Sequence, residues 1–190
     1  MSKKYRVTYN APVILGFAGI SLLATCLNYL TGGFSQKLLF MTYHSSLINP
    51  LTWVRAFTHV FGHANWTHLV GNMSYILLLG PMLEEKYSSD KLIEIIGVTA
   101  LVTSVFNYIV FSNVALSGAS GVVFAFILLS SFTSFKEGEI PITFILVAVL
   151  FLGQQVYEGM FLNDNISNSA HIIGGIIGSV MGYNLNKKLR

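Results

Sequence analysis

Six stretches of mainly apolar residues, at 11–30, 67–83, 92–111, 117–135, 141–157 and 170–185, fill more than half of this 190-residue chain. Each is close to the ~20 residues that a helix needs to cross the hydrocarbon core of a bilayer. Lipid offers a backbone no hydrogen-bond partner, so single spans of this length must be helical. The expected fold class is therefore all-α, a polytopic membrane protein built as a bundle of six transmembrane helices. Composition agrees: 10% of residues are charged and 53% hydrophobic, where soluble domains carry about a quarter charged residues.

Other features narrow the class. A net charge of +3, small and dispersed, is no footprint for nucleic acid. The basic residues lie at chain ends and in short loops, where the lipid bilayer and its anionic headgroups are the natural partner. Cys26 is the only cysteine, so no internal disulfide forms. Lys3, Lys4 and Arg6 before the first stretch imitate a secretory signal, and Leu23-Ala24-Thr25-Cys26 imitates a lipoprotein cleavage box. Five further spans favour a retained anchor instead. No repeat, low-complexity tract or linker interrupts the chain, so residues 1–190 are expected to form one membrane domain. The segment 31–66 holds Tyr43, Trp53 and Phe57. It is expected to be a partly ordered loop in the membrane interface, where aromatic rings settle.

Basic residues orient the bundle. Lys3, Lys4 and Arg6 precede the first span, Lys86 and Lys91 follow the second, Lys136 follows the fourth, and Lys187, Lys188 and Arg190 follow the sixth. The opposite loops hold only Lys37 and Arg55. The positive-inside rule then places both termini in the cytoplasm. Spans two, four and six consequently begin together at the external face. The unusual polar residues fall in those beginnings: His68 and Asn72, Ser120, and His171.

Polar groups inside a membrane are expensive and invite a functional reading with named partners. Ser120 sits in Gly118-Ala119-Ser120-Gly121. An alcohol is a weak nucleophile until a base takes its proton, and histidine is the base suited to neutral pH. His171 opens a stripe with Gly174, Gly175, Gly178 and Gly182. Small residues at this spacing let two helix backbones approach, bringing His171 toward Ser120 if the fourth span is the neighbour. The start of that span offers free N–H groups to a developing oxyanion, and His68 and Asn72, four apart on one helix face, add side-chain donors. No carboxylate is placed to orient His171. Asp164, seven residues earlier, reads as a solvated loop residue, which favours a Ser/His pair over a triad. No cofactor is required.

His68-Leu69-Val70-Gly71-Asn72, Gly118-Ala119-Ser120-Gly121 and His171-Ile172-Ile173-Gly174 resemble, in order, the three signatures of the rhomboid family of intramembrane serine proteases. The resemblance, to the bacterial six-helix type, covers the first loop and spans two to six. It implies a serine endopeptidase that cleaves the transmembrane segments of other membrane proteins near the external face. In that reading Ser120 is the nucleophile and His171 the general base, and His68, Asn72 and the Ser120 N–H form the oxyanion hole. Gly118, Gly121, Phe124, Gly174, Arg55 and Glu84 support the structure, and His59 and His63 match family positions in the first loop. The loop before the sixth span, with the fifth span, takes the place of the substrate gate, and the expected location is a bacterial plasma membrane. The chain departs from the family pattern in having Phe124 where many bacterial members have tyrosine, and Trp53-Val54-Arg55 for an adjacent Trp-Arg pair.

Rival readings remain at this stage. His59, His63 and His68 have spacing that a metal site can use, but without HExxH, cysteine or carboxylate they read as hydrogen-bonded interfacial histidines, with no metal. A catalytically silent rhomboid-like escort protein normally lacks the serine or the histidine. A transporter relaying protons through His68 and His171 would be indifferent to Ser120.

Overall fold

The computed structural model describes residues 7–133, 139–161 and 168–188. Among them are eight α-helices: α1 (Pro12–Leu30), α2 (Phe34–Leu39), α3 (Pro50–Thr58), α4 (Trp66–Tyr87), α5 (Ser89–Val110), α6 (Ser120–Ser130), α7 (Ile142–Phe161) and α8 (Asn168–Lys188). Three of them, α1, α5 and α7, are long and apolar enough to cross a membrane. The α4 and α8 helices, of 22 and 21 residues, match them in length and carry the polar residues singled out above. The protein is a polytopic helical bundle.

The segment between α1 and α4 is more ordered than a loop. Pro50 occupies the first turn of α3, and the Asn49 side chain accepts a hydrogen bond from Leu51 N–H at 3.0 Å, which fixes where that helix starts. A 3-10 turn at His59–Phe61 continues it. Thr42 and Leu116 exchange backbone hydrogen bonds of 2.9 and 2.8 Å, tying this segment to the approach to α6.

The fourth apolar stretch differs from expectation. Its helix runs Ser120–Ser130 and not over 117–135; residues 134 and 135 lie outside the described residues. Gly118 has φ 127°, which no right-handed helix accepts, so the helix cannot begin before it. Eleven residues span only about 16 Å. The helix buries residues all round, including Val122, Ala125, Phe126, Leu128 and Leu129, and packs against α4, α5, α7 and α8. An element apolar on every side belongs at the centre of a bundle.

Contacts between helix ends set the directions. Tyr87, at the end of α4, accepts a 2.7 Å hydrogen bond from Asn186 Nδ2 at the end of α8. Lys86 Nζ donates to the Thr133 carbonyl just beyond α6. The α4, α6 and α8 helices therefore run parallel, and their N-terminal ends share the opposite end of the bundle. The α1 helix runs against them: its N-terminus meets the end of α4 through Glu84, and Tyr29 near its C-terminus stacks on Trp66 at the start of α4.

Glu84 is buried. Its carboxylate accepts from Val13 N–H at 3.0 Å, Ile14 N–H at 3.1 Å and Ser89 Oγ–H at 2.7 Å. The first N–H groups of a helix have no partner of their own, and the dipole there favours an anion. Glu84→Ala leaves two α1 donors unmet at a buried site, a loss of about 2–4 kcal/mol. The unfolding midpoint of the detergent-solubilised protein checks this, and Glu84→Gln, which keeps one acceptor, should fall between the two.

Candidate active site

The site forms where α4, α6 and α8 begin. Asn65 caps α4, its Oδ1 accepting from His68 N–H at 2.9 Å, so His68 lies in the first turn and Asn72 one turn further on the same face. Ser120 is the first residue of α6, half-buried, in the turn whose N–H groups have no partner within the helix. Gly118 connects them. A side chain there would meet His68 Cε1 at 2.7 Å, His68 Nε2 at 2.9 Å and Asn72 Nδ2 at 3.8 Å. Glycine is thus demanded twice, by its positive φ and by the imidazole that fills the place of a Cβ. Its N–H donates to the His59 carbonyl at 2.9 Å, anchoring the turn from the other side.

His171, in the first turn of α8, is buried and lies flat on Phe124, with centroids 4.5 Å apart and planes 3° from parallel. Phe124 stands one turn after Ser120, on the same side of α6. The backbones behind this stack are in contact. A Cβ on Gly174 would fall 2.0 Å from the Gly121 carbonyl oxygen, and one on Gly178 would fall 2.1 Å from that of Ala125. The stripe expected on one face nevertheless divides. Gly182 meets the Phe132 ring beyond α6, whereas Gly175 meets Leu152 of α7 at 2.4 Å. Adjacent residues on a helix point about 100° apart, so Gly174 and Gly175 serve different neighbours.

Asn72 Nδ2 donates to His63 Nε2 at 3.0 Å, and His63 Nδ1–H donates to the Phe61 carbonyl at 3.1 Å. The first-loop histidine therefore orients the amide that flanks Gly118, and a second amide hydrogen of Asn72 is left for another acceptor. His59 is buried against α5, with Nδ1 3.2 Å from the Arg55 carbonyl and Nε2 3.4 Å from Thr103 Oγ1. Arg55, also buried, donates to Tyr43 Oη at 2.7 Å and Ser45 Oγ at 3.0 Å, with its guanidinium 4.3 Å from the Tyr43 ring centre. Arg55 and Glu84 thus hold the scaffold and lie away from Ser120.

Burial pushes His59 down to about 4, and burial with the nearby His68 ring pushes His63 down to about 4, from the ordinary 6.5. Between those values the unfolded chain binds protons that the folded chain refuses. Stability is therefore complete above pH 6.5 and drains away as the pH falls toward 4, by about 3 kcal/mol for each histidine. Unfolding midpoints measured between pH 7.5 and 4.5 should drop accordingly, and His59→Phe should flatten the curve. A pH-independent midpoint rejects the assignment.

One residue escaped the sequence reading. Gln155 of α7 is buried, and its Oε1 lies 2.5 Å from His171 Nδ1. The available signal was the group Gln154, Gln155 and Glu158 at the end of the fifth apolar stretch, where polar side chains are costly. Asp164 and the loop before α8 lie outside the described residues.

A family model for the rhomboid domain matches residues 50–188. Rhomboid protease GlpG of Haemophilus influenzae is 26% identical over 163 residues, 83% of this chain and 83% of that protein. Rhomboid-related protein 1 of Caenorhabditis elegans is 30% identical over 135 residues, 66% of this chain and 38% of that protein. Rhomboid protease GlpG of Salmonella choleraesuis is 30% identical over 131 residues, 68% of this chain and 47% of that protein. The chain thus spans less than half the length of the last two.

Proposed function

The chain belongs to the rhomboid family, and on that premise we propose that it is an intramembrane serine endopeptidase acting through Ser120 and His171. It is an integral membrane protein, and its substrates are the transmembrane segments of other membrane proteins. Its place is a bacterial plasma membrane with both termini in the cytoplasm, which puts the start of α6 near the external face. The observation that carries this reading is the imidazole of His171 held flat on Phe124, one turn from Ser120, on the side where α6 and α8 touch.

The chemistry follows from the positions. The substrate carbonyl carbon approaches Ser120 Oγ while His171 Nε2 takes the hydroxyl proton. The C–O bond forms and the carbonyl electron pair moves to oxygen. The Ser120 N–H, the free Asn72 amide hydrogen and the His68 ring surround the place where that charge develops. His171 returns its proton to the leaving amine as the C–N bond breaks. Water, deprotonated by the same nitrogen, then releases the acyl group from Ser120. A substrate helix hides its carbonyls in its own hydrogen bonds, so segments loosened by Gly or Pro near the external end are the preferred targets.

Cleavage of a transmembrane reporter in proteoliposomes tests the reading, together with labelling by a fluorophosphonate. Wild type should yield product and label at Ser120, and Ser120→Ala should do neither. Equal product from both proteins ends the proposal.

A further inference from the structure

The α7 helix is the loosest in the bundle. Gln155 is its one buried residue, whereas Ile145, Leu146, Val149, Leu150, Val156 and Tyr157 are exposed. Phe144, Val147, Ala148, Phe151 and Leu152 pack against the core only partly buried, so the one side chain of α7 that is fully withdrawn would be expected to be apolar as well. This helix inserts an amide, and the amide meets the imidazole of His171.

Its orientation is decided by a second bond. Gln155 Nε2 donates to Glu158 Oε2 at 3.2 Å, and Gln154 Nε2 donates to Glu158 Oε1 at 2.7 Å. A carboxylate only accepts, so the Gln155 NH₂ faces Glu158 and its carbonyl oxygen faces His171. A carbonyl oxygen also only accepts, so the proton of the neutral imidazole sits on Nδ1. Nε2 then carries the lone pair, as a base acting on Ser120 requires. The Phe124 ring fixes the plane of the imidazole but says nothing about which nitrogen bears hydrogen. Gln155 supplies that choice.

We propose that Gln155 is a positioning residue of the active site: it selects the Nδ1–H tautomer of His171 and holds its ring, with Glu158 keeping the Gln155 amide from turning over. This rests on the reading of His171 as the base. The Ser/His pair expected from sequence thus acquires an orienting partner from a separate helix, and that partner is a neutral amide. Because the amide sits on α7, any outward displacement of α7 withdraws the acceptor from His171 as well.

Nitrogen-15 NMR of the histidine-labelled protein in detergent at pH 8 reads the tautomer directly, with the His171 signals assigned by their loss in His171→Ala. Wild type should show a protonated Nδ1 and an unprotonated Nε2. Gln155→Leu should mix or invert the two, and the exchange Gln155→Glu with Glu158→Gln, which keeps an acceptor toward His171 and a donor–acceptor pair behind it, should keep the wild-type pattern. Glu158→Leu, which leaves Gln155 in place but free to flip, should move the signals in the same direction as Gln155→Leu and less far. In reporter cleavage Gln155→Leu should lower kcat about 10- to 100-fold with little change in KM, as for a misplaced catalytic group, and the exchange Gln155→Glu with Glu158→Gln should retain most of the wild-type rate. Unchanged nitrogen signals in both Gln155→Leu and Glu158→Leu, or a loss of kcat in the exchanged pair as large as in Gln155→Leu, overturns the proposal. The nitrogen signals need no turnover. A wild type that cleaves no more than Ser120→Ala therefore defeats the protease reading separately, while the tautomer result still stands or falls on its own.

Discussion

Ser120→Ala and His171→Ala should each cut reporter cleavage by about 10,000-fold or more, and the double substitution should fall no further. The reason is mechanical. A serine hydroxyl attacks only as its proton leaves, and in the proposed mechanism the imidazole stacked on Phe124, one turn from Ser120, receives that proton. Removing the base leaves an alcohol that stays protonated, whereas removing the alcohol leaves a base with nothing to activate. Groups that act as one unit show this strong non-additivity. What survives in all three variants is the contribution of substrate binding and of donors around Gly118, worth about 1,000-fold over water in other serine hydrolases. Rates from single and double variants, measured with enzyme in excess in proteoliposomes, give the result. A double variant slower than either single by the product of their effects would mean that Ser120 and His171 act independently. The proposed dyad would then be wrong even if both residues matter.

Much of the candidate site could be read from the chain because lipid makes polarity informative. His68, Asn72, Ser120 and His171 stand out as polar groups at the starts of apolar stretches, and the parity of the spans brings those starts to one end. The structure places all four at the meeting of α4, α6 and α8. What the pattern does not carry is helix phase. Gln155 reaches His171 only because α7 turns that one face inward, and a helix apolar on nearly every side gives no sign of which face that is. The limits of α6 were hidden for a related reason. Gly118 near the start of an apolar run reads as part of the span, and only its backbone angle shows that the helix begins after it. The bond from Asn72 to His63 spans only nine residues, but it depends on how the chain turns into α4, and hydrophobic periodicity says nothing about that turn.

The closeness of α6 and α8 leads to the second large effect. A methyl group at Gly174 would lie 2.0 Å from the Gly121 carbonyl oxygen and 3.1 Å from Gly121 Cα, against backbone that cannot rotate away. Gly174→Ala therefore forces α8 to withdraw from α6 by on the order of 1 Å before an ordinary van der Waals contact is restored. His171 lies three residues before Gly174 and moves with it, away from Ser120. A displacement of about that size costs roughly 100-fold in rate when it separates reacting groups, with about 1–3 kcal/mol of stability lost to overpacking. Gly175→Ala is the telling comparison. Its new methyl meets the far end of the Leu152 side chain, at 2.4 Å from Cδ2, and a flexible side chain yields more readily than backbone. The loss there should be much smaller. Gly153→Ala, with nothing within 4 Å, should leave both rate and stability near wild type. The unfolding midpoint and kcat, measured for all three, separate a local clash from general disruption. If Gly174→Ala and Gly175→Ala lose equal activity at equal stability, the backbone approach of α6 and α8 does not set the distance between base and nucleophile, and the parallel packing of these two helices is only a matter of fold.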